Sequence, residues 1–211
     1  PWLANFSNHT GLLRSLREQL TGFASERRLP SWRRDVFRGA GAVTGQGEEV
    51  VLLVDTFNTY FEPETAIAAI NVLKAAGYKV VTPTAVDGPR PLCCGRTFLN
   101  SGMVEEAKSE ARRVIATLAP YVKRGVPIVG LEPSCLLTLR DEFSAMLPGK
   151  ETDALAERAM LFEEFLAMEW DAGRLDLPLR PLSQSRVLLH GHCHQKAFGL
   201  MSSVEKVLRW I

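Results

Sequence analysis

Short apolar runs rich in β-branched residues alternate along this chain with longer segments of helical periodicity, and this alternation constrains the fold more than any other feature. Glycines such as Gly77, Gly125 and Gly173 directly follow the helical segments, where they favour a helix stop. Strands that alternate with helices through short loops are typical of parallel pairing. We therefore predict an α/β fold with a mostly parallel sheet and flanking helices.

The pattern predicts where the strands and helices lie. Strands are expected at residues 50–54, 78–81, 126–131 and 186–190, and helices at residues 10–24, 63–76, 103–124, 136–146, 152–172 and 202–211. Residues 39–47 have the Gly-rich composition of a connector, so the first helix is either a tether to an upstream domain or a helix packed on the core. Because the chain starts at Pro1 and ends at Ile211 within an apolar helical pattern, we expect a fragment of a larger polypeptide.

The composition is that of an ordinary globular protein and excludes several classes. Of 211 residues, 46% are hydrophobic and 23% are charged, which argues against disorder, collagen and a coiled coil. The net charge of +1 lacks the basic excess of most nucleic-acid-binding proteins, so we expect no nucleic-acid partner. The longest apolar runs are far shorter than the ~20 residues of a membrane span, so we expect no transmembrane segment.

Four cysteines are the candidate functional residues: Cys93, Cys94, Cys135 and Cys193. Four are too few for a disulfide scaffold in a chain of this length, and no secretory segment indicates an oxidising compartment. Each lies in a predicted loop that follows a strand. Because ligands bind at the carboxyl ends of parallel strands, we expect the four sulfurs to gather at one edge of the sheet.

The adjacent Cys93 and Cys94 form a candidate soft-metal site. Gly95 permits a tight turn on which both side chains face one ligand. Thiolates suit zinc and iron–sulfur clusters, although neither the CxxC pairs of common zinc sites nor the ferredoxin spacing occurs here. The alternative is that these cysteines are buried, inert or redox-active thiols.

Residues 190–194 contain three histidines and Cys193, a dense group of metal-ligand types. On a strand end alternate residues point the same way, so His190, His192 and His194 would share one side, with Cys193 opposite. His192 and His194 are therefore further candidate metal ligands. The alternative is that these histidines cap the next helix or bond to the loop backbone.

Other polar residues near these loops are open to more than one interpretation. Arg90, Arg96 and Lys196 either lower the pKa of nearby thiols or are solvated surface residues. Asp55 is expected to cap a helix or turn rather than to act as an acid or base. Neither a dinucleotide fingerprint nor a phosphate loop appears in the sequence, so we expect no bound nucleotide here, and the sequence assigns no catalytic residue.

Three motifs occur in order along the chain, at residues 91–96 (PLCCGR), 132–135 (EPSC) and 190–196 (HGHCHQK). Together they resemble the cysteine-rich CCG domain family, which includes one of the heterodisulfide reductase subunits and the glycolate oxidase iron–sulfur subunit. With residues 55–57 (DTF) and 61–64 (FEPE), the loops look most similar to the C-terminal part of fused FAD-linked oxidase–4Fe-4S ferredoxin proteins of the D-lactate dehydrogenase type.

The resemblance implies a Rossmann-like first CCG lobe over residues 47–182, a helical lead-in over residues 1–46 and the start of a truncated second CCG lobe over residues 183–211. It also implies an iron–sulfur electron-transfer module. Such a module passes electrons from a flavin, which oxidises a lactate- or glycolate-type 2-hydroxy acid, to an electron acceptor. The FAD would lie in an upstream domain beside a ferredoxin domain, on the same or a partner chain. The fragment alone is expected to be inactive. We expect a cytoplasmic location, which includes the inner face of the membrane, and a dimer that forms through the truncated lobe.

Carried over residue by residue, the implied cluster ligands are Cys93, Cys94, Cys135 and Cys193. The chain departs from the family pattern at two positions, because Thr56 and Glu132 stand where the family has cysteines. We therefore expect an iron–sulfur cluster that is incomplete or absent without further cysteines. The alternatives are a zinc-binding domain that also uses His192 and His194, a thiol-redox domain without a flavin partner, and a docking domain that has lost its ligands.

Overall fold

A computed structural model describes residues 2–27, 29–39, 41–183 and 186–211. Its strands are β1 (Val43–Thr44), β2 (Glu49–Leu53), β3 (Lys79–Val81), β4 (Ile128–Gly130) and β5 (Ala159–Leu161). Its helices are α1 (Trp2–His9), α2 (Gly11–Thr21), α3 (Thr56–Tyr60), α4 (Pro63–Ala75), α5 (Arg96–Asn100), α6 (Val104–Lys123), α7 (Pro133–Arg140), α8 (Glu142–Met146), α9 (Lys150–Arg158), α10 (Phe162–Asp171), α11 (Cys193–Ala197) and α12 (Met201–Leu208).

The described strands form one mixed sheet in the order β1-β3-β2-β4-β5. β2 pairs in parallel with β3 on one side and with β4 on the other, so that Val50 lies opposite Val80 and Leu52 opposite Val129. β4 pairs in parallel with β5, whereas the short β1 runs antiparallel to β3. These pairings confirm the predicted α/β fold with a mostly parallel sheet and flanking helices.

Helices cover both faces of the sheet. Val51 belongs to an apolar cluster that includes Leu118 of α6 and residues of α7 and α9. Leu52 points to the other face and belongs to a second cluster that includes Phe165 of α10 and residues of α4. A strand buried on both faces has a continuous apolar sequence rather than an alternating one, which explains the composition of β2.

The predicted fourth strand at residues 186–190 is wrong. The segment has no regular secondary structure, and the side chain of Leu188 is 99% exposed. β-propensity largely measures how well a side chain packs on a neighbouring strand, and in the described part of the chain no strand lies beside this segment.

The sequence pattern misses two strands. β5 divides the predicted helix at residues 152–172 into α9 and α10, because a short apolar run is ambiguous in periodicity and pairing with β4 decides its conformation. β1 lies inside the predicted connector at residues 39–47.

The helices follow the predictions more closely. The predicted helices at residues 63–76, 103–124 and 202–211 correspond to α4, α6 and α12. Asp141 divides the predicted helix at residues 136–146 into α7 and α8. The helix predicted at residues 10–24 corresponds to the shorter α2, and the sequence pattern does not predict α1.

Contacts extend across both predicted domain boundaries. β1 precedes residue 46 and pairs with β3 of the sheet. Near the other end α12 packs on α10, where the rings of Trp170 and Trp210 stack with their centroids 4.6 Å apart. The division into lead-in, first lobe and truncated second lobe stays a prediction. Among the described helices, none has the length and apolar character needed to cross a membrane.

Replacing Leu52 with alanine should lower the free energy of unfolding by about 2–5 kcal/mol, because its fully buried side chain would leave a cavity between the sheet and α10. Urea unfolding followed by circular dichroism measures this change. Ile67→Ala on α4 is the matched control, since Ile67 is 51% exposed and the expected change is below about 0.5 kcal/mol. Equal effects of the two variants would contradict the packing described here.

Candidate functional site

The parallel strands β2, β3, β4 and β5 all end at the same edge of the sheet, and β2 lies between the two strands that follow it in sequence. The chain therefore crosses from one side of β2 to the other between β3 and β4. The loops after β2 and β4 diverge at this switch point and leave a crevice, which is the usual ligand position in such sheets.

Three of the four candidate cysteines meet at this crevice, and we call Cys93, Cys94 and Cys135 the thiol cluster. The thiol of Cys93 donates a hydrogen bond to Cys94, and the thiol of Cys94 donates one to Cys135. Cys94 and Cys135 are buried, whereas Cys93 is partly exposed. They surround a cavity of about 10 Å³ whose other lining residues are Leu53, Asp55, Leu92, Val114 and Leu139.

A tight turn before α5 places the Cys93 and Cys94 thiols, as the sequence predicts. Gly95 has a φ of 77°, in the left-handed region that favours glycine. A Cβ atom at this position would lie 2.9 Å from the carbonyl oxygen of Ala107 on α6. The amide of Gly95 donates to the sulfur of Cys93 at 3.4 Å. The turn and its packing on α6 therefore require glycine.

Glu132 orients Cys135 by capping the start of α7. Its Oε2 accepts hydrogen bonds from the amide of Cys135 and from the hydroxyl of Ser134, each at 2.6 Å. The thiol of Cys135 also donates to this carboxylate. Glu132 stands where the resemblance places a cysteine, and here it serves as an acceptor for the last thiol of the cluster.

Asp55 and Thr56 follow β2 and border the thiol cluster. Asp55 caps α3, accepting hydrogen bonds from the amides of Phe57 and Asn58 at 2.8 and 3.0 Å. This confirms its interpretation as a capping residue. The hydroxyl of Thr56, the other residue at which the resemblance places a cysteine, donates to the sulfur of Cys93.

The thiols are held in their protonated form. The hydrogen bond that Cys93 donates to Cys94, together with burial, raises the pKa of Cys93 far above its ordinary value. The bond donated to Cys135 raises the pKa of Cys94 to about 12. The pKa of Cys135 is lowered by its bond with Cys94 but is raised overall by burial and by the nearby carboxylates of Asp55 and Glu132. Three thiolates in this crevice would therefore need a cation beside them.

The neighbouring arginines are already paired with carboxylates. Arg90 pairs with Glu110 at 2.7 Å, and Arg96 pairs with Glu142 at 2.5 Å. Arg96 also donates to the hydroxyl of Thr138. Arg90 attracts the charge of a Cys93 thiolate, as the interpretation in which arginines lower the thiol pKa expects. Hydrogen bonding between the thiols and burial outweigh this attraction, so the pKa values of Cys93 and Cys94 are raised overall.

The segment with the remaining candidates lies beside the thiol cluster, because α11 packs on α7. His192 caps α11, accepting at Nδ1 from the amide of His194 at 3.2 Å, and its Nε2 lies 3.9 Å from Oε1 of Glu132. Nε2 of His194 is 2.9 Å from a guanidinium nitrogen of Arg96. The capping interpretation of His192 is confirmed, and the common strand face of His190, His192 and His194 is not formed because residues 190–194 are not a strand. Cys193 is exposed at the start of α11.

Whether these residues fit an iron–sulfur cluster depends on the chemistry of their side chains and on the space between them. Thiols are the correct ligands for zinc and for iron–sulfur clusters. Within the described residues, however, no three or more His, Cys, Asp or Glu side chains are grouped as one metal ion requires. The cavity of about 10 Å³ is also too small for a cluster of iron and sulfide. In this arrangement the residues therefore do not fit a complete iron–sulfur cluster.

Sequence reasoning missed two buried charged residues behind the thiol cluster. Glu110 and Arg113 lie on the buried face of α6, and both are less than 8% exposed. The signal was present in the sequence, because charged residues three positions apart interrupt the apolar face of this long helix.

The chain is similar to proteins named as enzymes of hydroxy acids. It is 28% identical over 146 residues to D-2-hydroxyglutarate dehydrogenase of Escherichia coli (strain K12), covering 68% of this chain and 13% of that protein. It is 24% identical over 180 residues to D-2-hydroxyglutarate dehydrogenase of Pantoea ananatis (strain AJ13355), covering 81% of this chain and 16% of that protein.

A third relative is named for lactate. Lactate utilization protein A 1 of Bacillus mycoides (strain KBAB4) is 24% identical over 170 residues, covering 77% of this chain and 64% of that protein. The matched part thus spans less than a fifth of the two dehydrogenases and about two thirds of the third protein. No protein-family model matches the chain, and no solved structure matches it either. The similarity is therefore to oxidoreductases, at low identity.

The raised thiol pKa values predict an alkaline loss of stability in the metal-free, reduced protein. The unfolded chain releases thiol protons near a pKa of about 8.5, whereas the folded chain retains them. The contribution of the protonated thiols to the free energy of unfolding is complete below that pH and is lost as the pH rises toward the folded-state pKa. Urea unfolding between about pH 8 and about pH 10 should show a steep fall in the free energy of unfolding.

Two alanine variants identify the source of that fall. Cys94→Ala should flatten the dependence of unfolding free energy on pH, because it removes a thiol with a raised pKa. Cys193→Ala should leave the dependence unchanged, because Cys193 is exposed and lies outside the thiol cluster. An unchanged slope in Cys94→Ala would contradict the protonated thiol cluster.

Proposed function

We propose that this chain is the cysteine-rich, electron-transfer part of an FAD-linked dehydrogenase of 2-hydroxy acids. The observation that carries the proposal is the meeting of Cys93, Cys94 and Cys135 at the switch point of a parallel sheet. In this role the chain receives electrons that a flavin elsewhere in the protein takes from the hydroxy acid. An iron–sulfur centre, which Cys93, Cys94, Cys135 and Cys193 would hold after the site opens, would supply the onward transfer to an acceptor.

Two further observations support the proposal. Relatives named as D-2-hydroxyglutarate dehydrogenases and as a lactate utilization protein are similar to most of this chain, which favours hydroxy-acid oxidation as the process it serves. Mutual hydrogen bonding and burial also raise the pKa values of Cys93 and Cys94 above their ordinary value. A positively charged metal centre is the partner that would stabilise the deprotonated form of such a set.

The proposed ligand set is the thiol cluster with Cys193. Cys193 begins α11, and α11 packs on α7, the helix that carries Cys135. Because the residues as arranged do not fit a complete cluster, opening of the cavity is part of the proposal. The same proposal includes the flavin and ferredoxin domains, the electron acceptor, a dimer through the truncated lobe, and a cytoplasmic location that extends to the inner face of the membrane.

The chain's own residues prepare the site for this role. Thr56 and Glu132 occupy the two ends of the run of hydrogen-bonded thiols, donating to Cys93 and accepting from Cys135 respectively. Leu53, Leu92 and Leu139 line the crevice around the sulfurs. A buried apolar lining around a thiolate-bound centre tunes its redox potential.

A second candidate function is supported by the hydrogen bond between Cys94 and Cys135. Two buried thiols in contact form a disulfide when an external disulfide accepts their two electrons and two protons. In this interpretation the chain is a thiol-redox or zinc-binding domain without a flavin partner, with His192 and His194 as additional zinc ligands. The protonated state of the thiols makes the exchange slow and therefore favours the first proposal.

Metal and acid-labile sulfide analysis of anaerobically purified, iron-reconstituted protein tests the first proposal. We expect iron and sulfide with broad absorption near ~400 nm, and at least about a tenfold loss of both in Cys94→Ser. Thr97→Ala is the matched control, because Thr97 is exposed on α5 three residues after Cys94. Loss of iron in Cys193→Ser would identify Cys193 as the fourth ligand. Retention of iron in this variant would show that another residue is the fourth ligand.

Two outcomes would contradict the electron-transfer proposal. Zinc without sulfide, lost in Cys94→Ser, would favour the zinc-binding alternative. The absence of metal after reconstitution, combined with a Cys94–Cys135 disulfide formed by an added disulfide compound, would favour the thiol-redox alternative.

A further inference from the structure

The loop that leads into the cysteine turn, residues 86–95, has little regular structure but is attached along its length to one helix face. The face belongs to α6 and consists of Ala107, Glu110, Arg113 and Thr117, residues spaced three or four apart. At the start of the loop, the amide of Val86 donates to the hydroxyl of Thr117 at 3.2 Å. At its end, Gly95 packs against Ala107 and Glu110.

Arg113 makes the central attachment. Its side chain is 5% exposed, and each guanidinium nitrogen has an acceptor in the loop. Nε donates to Asp87 Oδ1 at 2.5 Å, Nη1 donates to the carbonyl of Pro91 at 2.7 Å, and Nη2 donates to the carbonyl of Arg90. The last two acceptors lie two and three residues before Cys93.

A buried guanidinium has a rigid, planar arrangement of donors and is costly to leave unpaired. The three loop acceptors must therefore occupy positions that this plane dictates. Glu110 adds a second constraint, because it is buried, pairs with Arg90 at 2.7 Å and lies 3.5 Å from Arg113. The loop backbone before Cys93 is thus held by charge and by geometry.

We propose that Arg113 is a positioning residue that sets where the Cys93 and Cys94 thiols lie relative to Cys135. It contacts none of the three sulfurs directly and acts through the carbonyl groups of Arg90 and Pro91. The inference rests on the proposed function in one respect, namely that the thiol cluster is the working site of the chain. It adds a residue that neither the motifs nor the resemblance identifies.

The test compares Arg113→Met and Arg113→Lys with a matched control. Arg112→Met makes the same substitution one position earlier, at an exposed residue of α6. Binding is measured with cadmium alone, through the ultraviolet absorption of cadmium–thiolate bonds, on the reduced 211-residue chain. Thermal unfolding of each variant is recorded in parallel, and only folded variants are compared.

The positioning role predicts a separation between stability and binding. Arg113→Met should bind cadmium about tenfold to a hundredfold more weakly, as for other residues that orient metal ligands indirectly, and Arg112→Met should bind normally. Arg113→Lys should recover much of the thermal stability, because it keeps a charge beside Glu110 and Asp87, but not the cadmium affinity, because lysine lacks the planar fork. If Arg113 had a purely structural role, Arg113→Lys would recover the thermal stability and the cadmium affinity together.

A second readout separates this inference from the proposed function. Diamide oxidises two adjacent thiols to a disulfide, its N=N bond taking up the two electrons and two protons, and peptide mass mapping follows formation of the Cys94–Cys135 bond. If the unaltered chain binds no cadmium but Arg113→Lys forms this disulfide about tenfold more slowly, the metal-site proposal fails and the positioning role stands. Folded Arg113→Met with unaltered cadmium affinity and disulfide rate would overturn the positioning role.

Discussion

The parallel pairing of β2 with β3 on one side and β4 on the other is the constraint on which the rest of the structure depends. It sends the three loops after these strands to one edge of the sheet, although they are far apart in sequence. Asp55 and Thr56, the cysteine turn and the start of α7 meet there for this reason. The chemistry of the site is therefore a consequence of strand order, since each loop alone carries only one or two relevant side chains.

The electrostatics of the site do not activate a thiol as a nucleophile, because the thiol pKa values are raised. A reactive cysteine normally lies near a cation that lowers its pKa. Here the hydrogen bonds run from Thr56 through three thiols to a carboxylate, and the adjacent arginines pair with Glu110 and Glu142. Such an arrangement favours protonated thiols, and a bound metal ion would have to displace those protons.

Much of the fold and part of the site followed from sequence patterns. Buried β2 and the long α6 were predictable because a continuous apolar run and a helical periodicity are local properties. The conformation of residues 186–190 was not, because a strand exists only when a partner lies beside it. The meeting of Cys93, Cys94 and Cys135 was predictable from strand ends. The spacing of Arg113 on α6 indicates that it is buried, but its link to the cysteine turn was not predictable, since two of its three loop partners are backbone carbonyls.

The stacked indoles of Trp170 and Trp210 have a practical consequence. Their ring centroids are 4.6 Å apart, with one ring on α10 and the other just after α12. Two indoles held this close couple their strong far-ultraviolet transitions, so the pair contributes to the far-ultraviolet circular dichroism, and this contribution is lost when the rings separate. The chain thus contains a native optical reporter of whether its last helix is docked, close in sequence to the segment that carries Cys193.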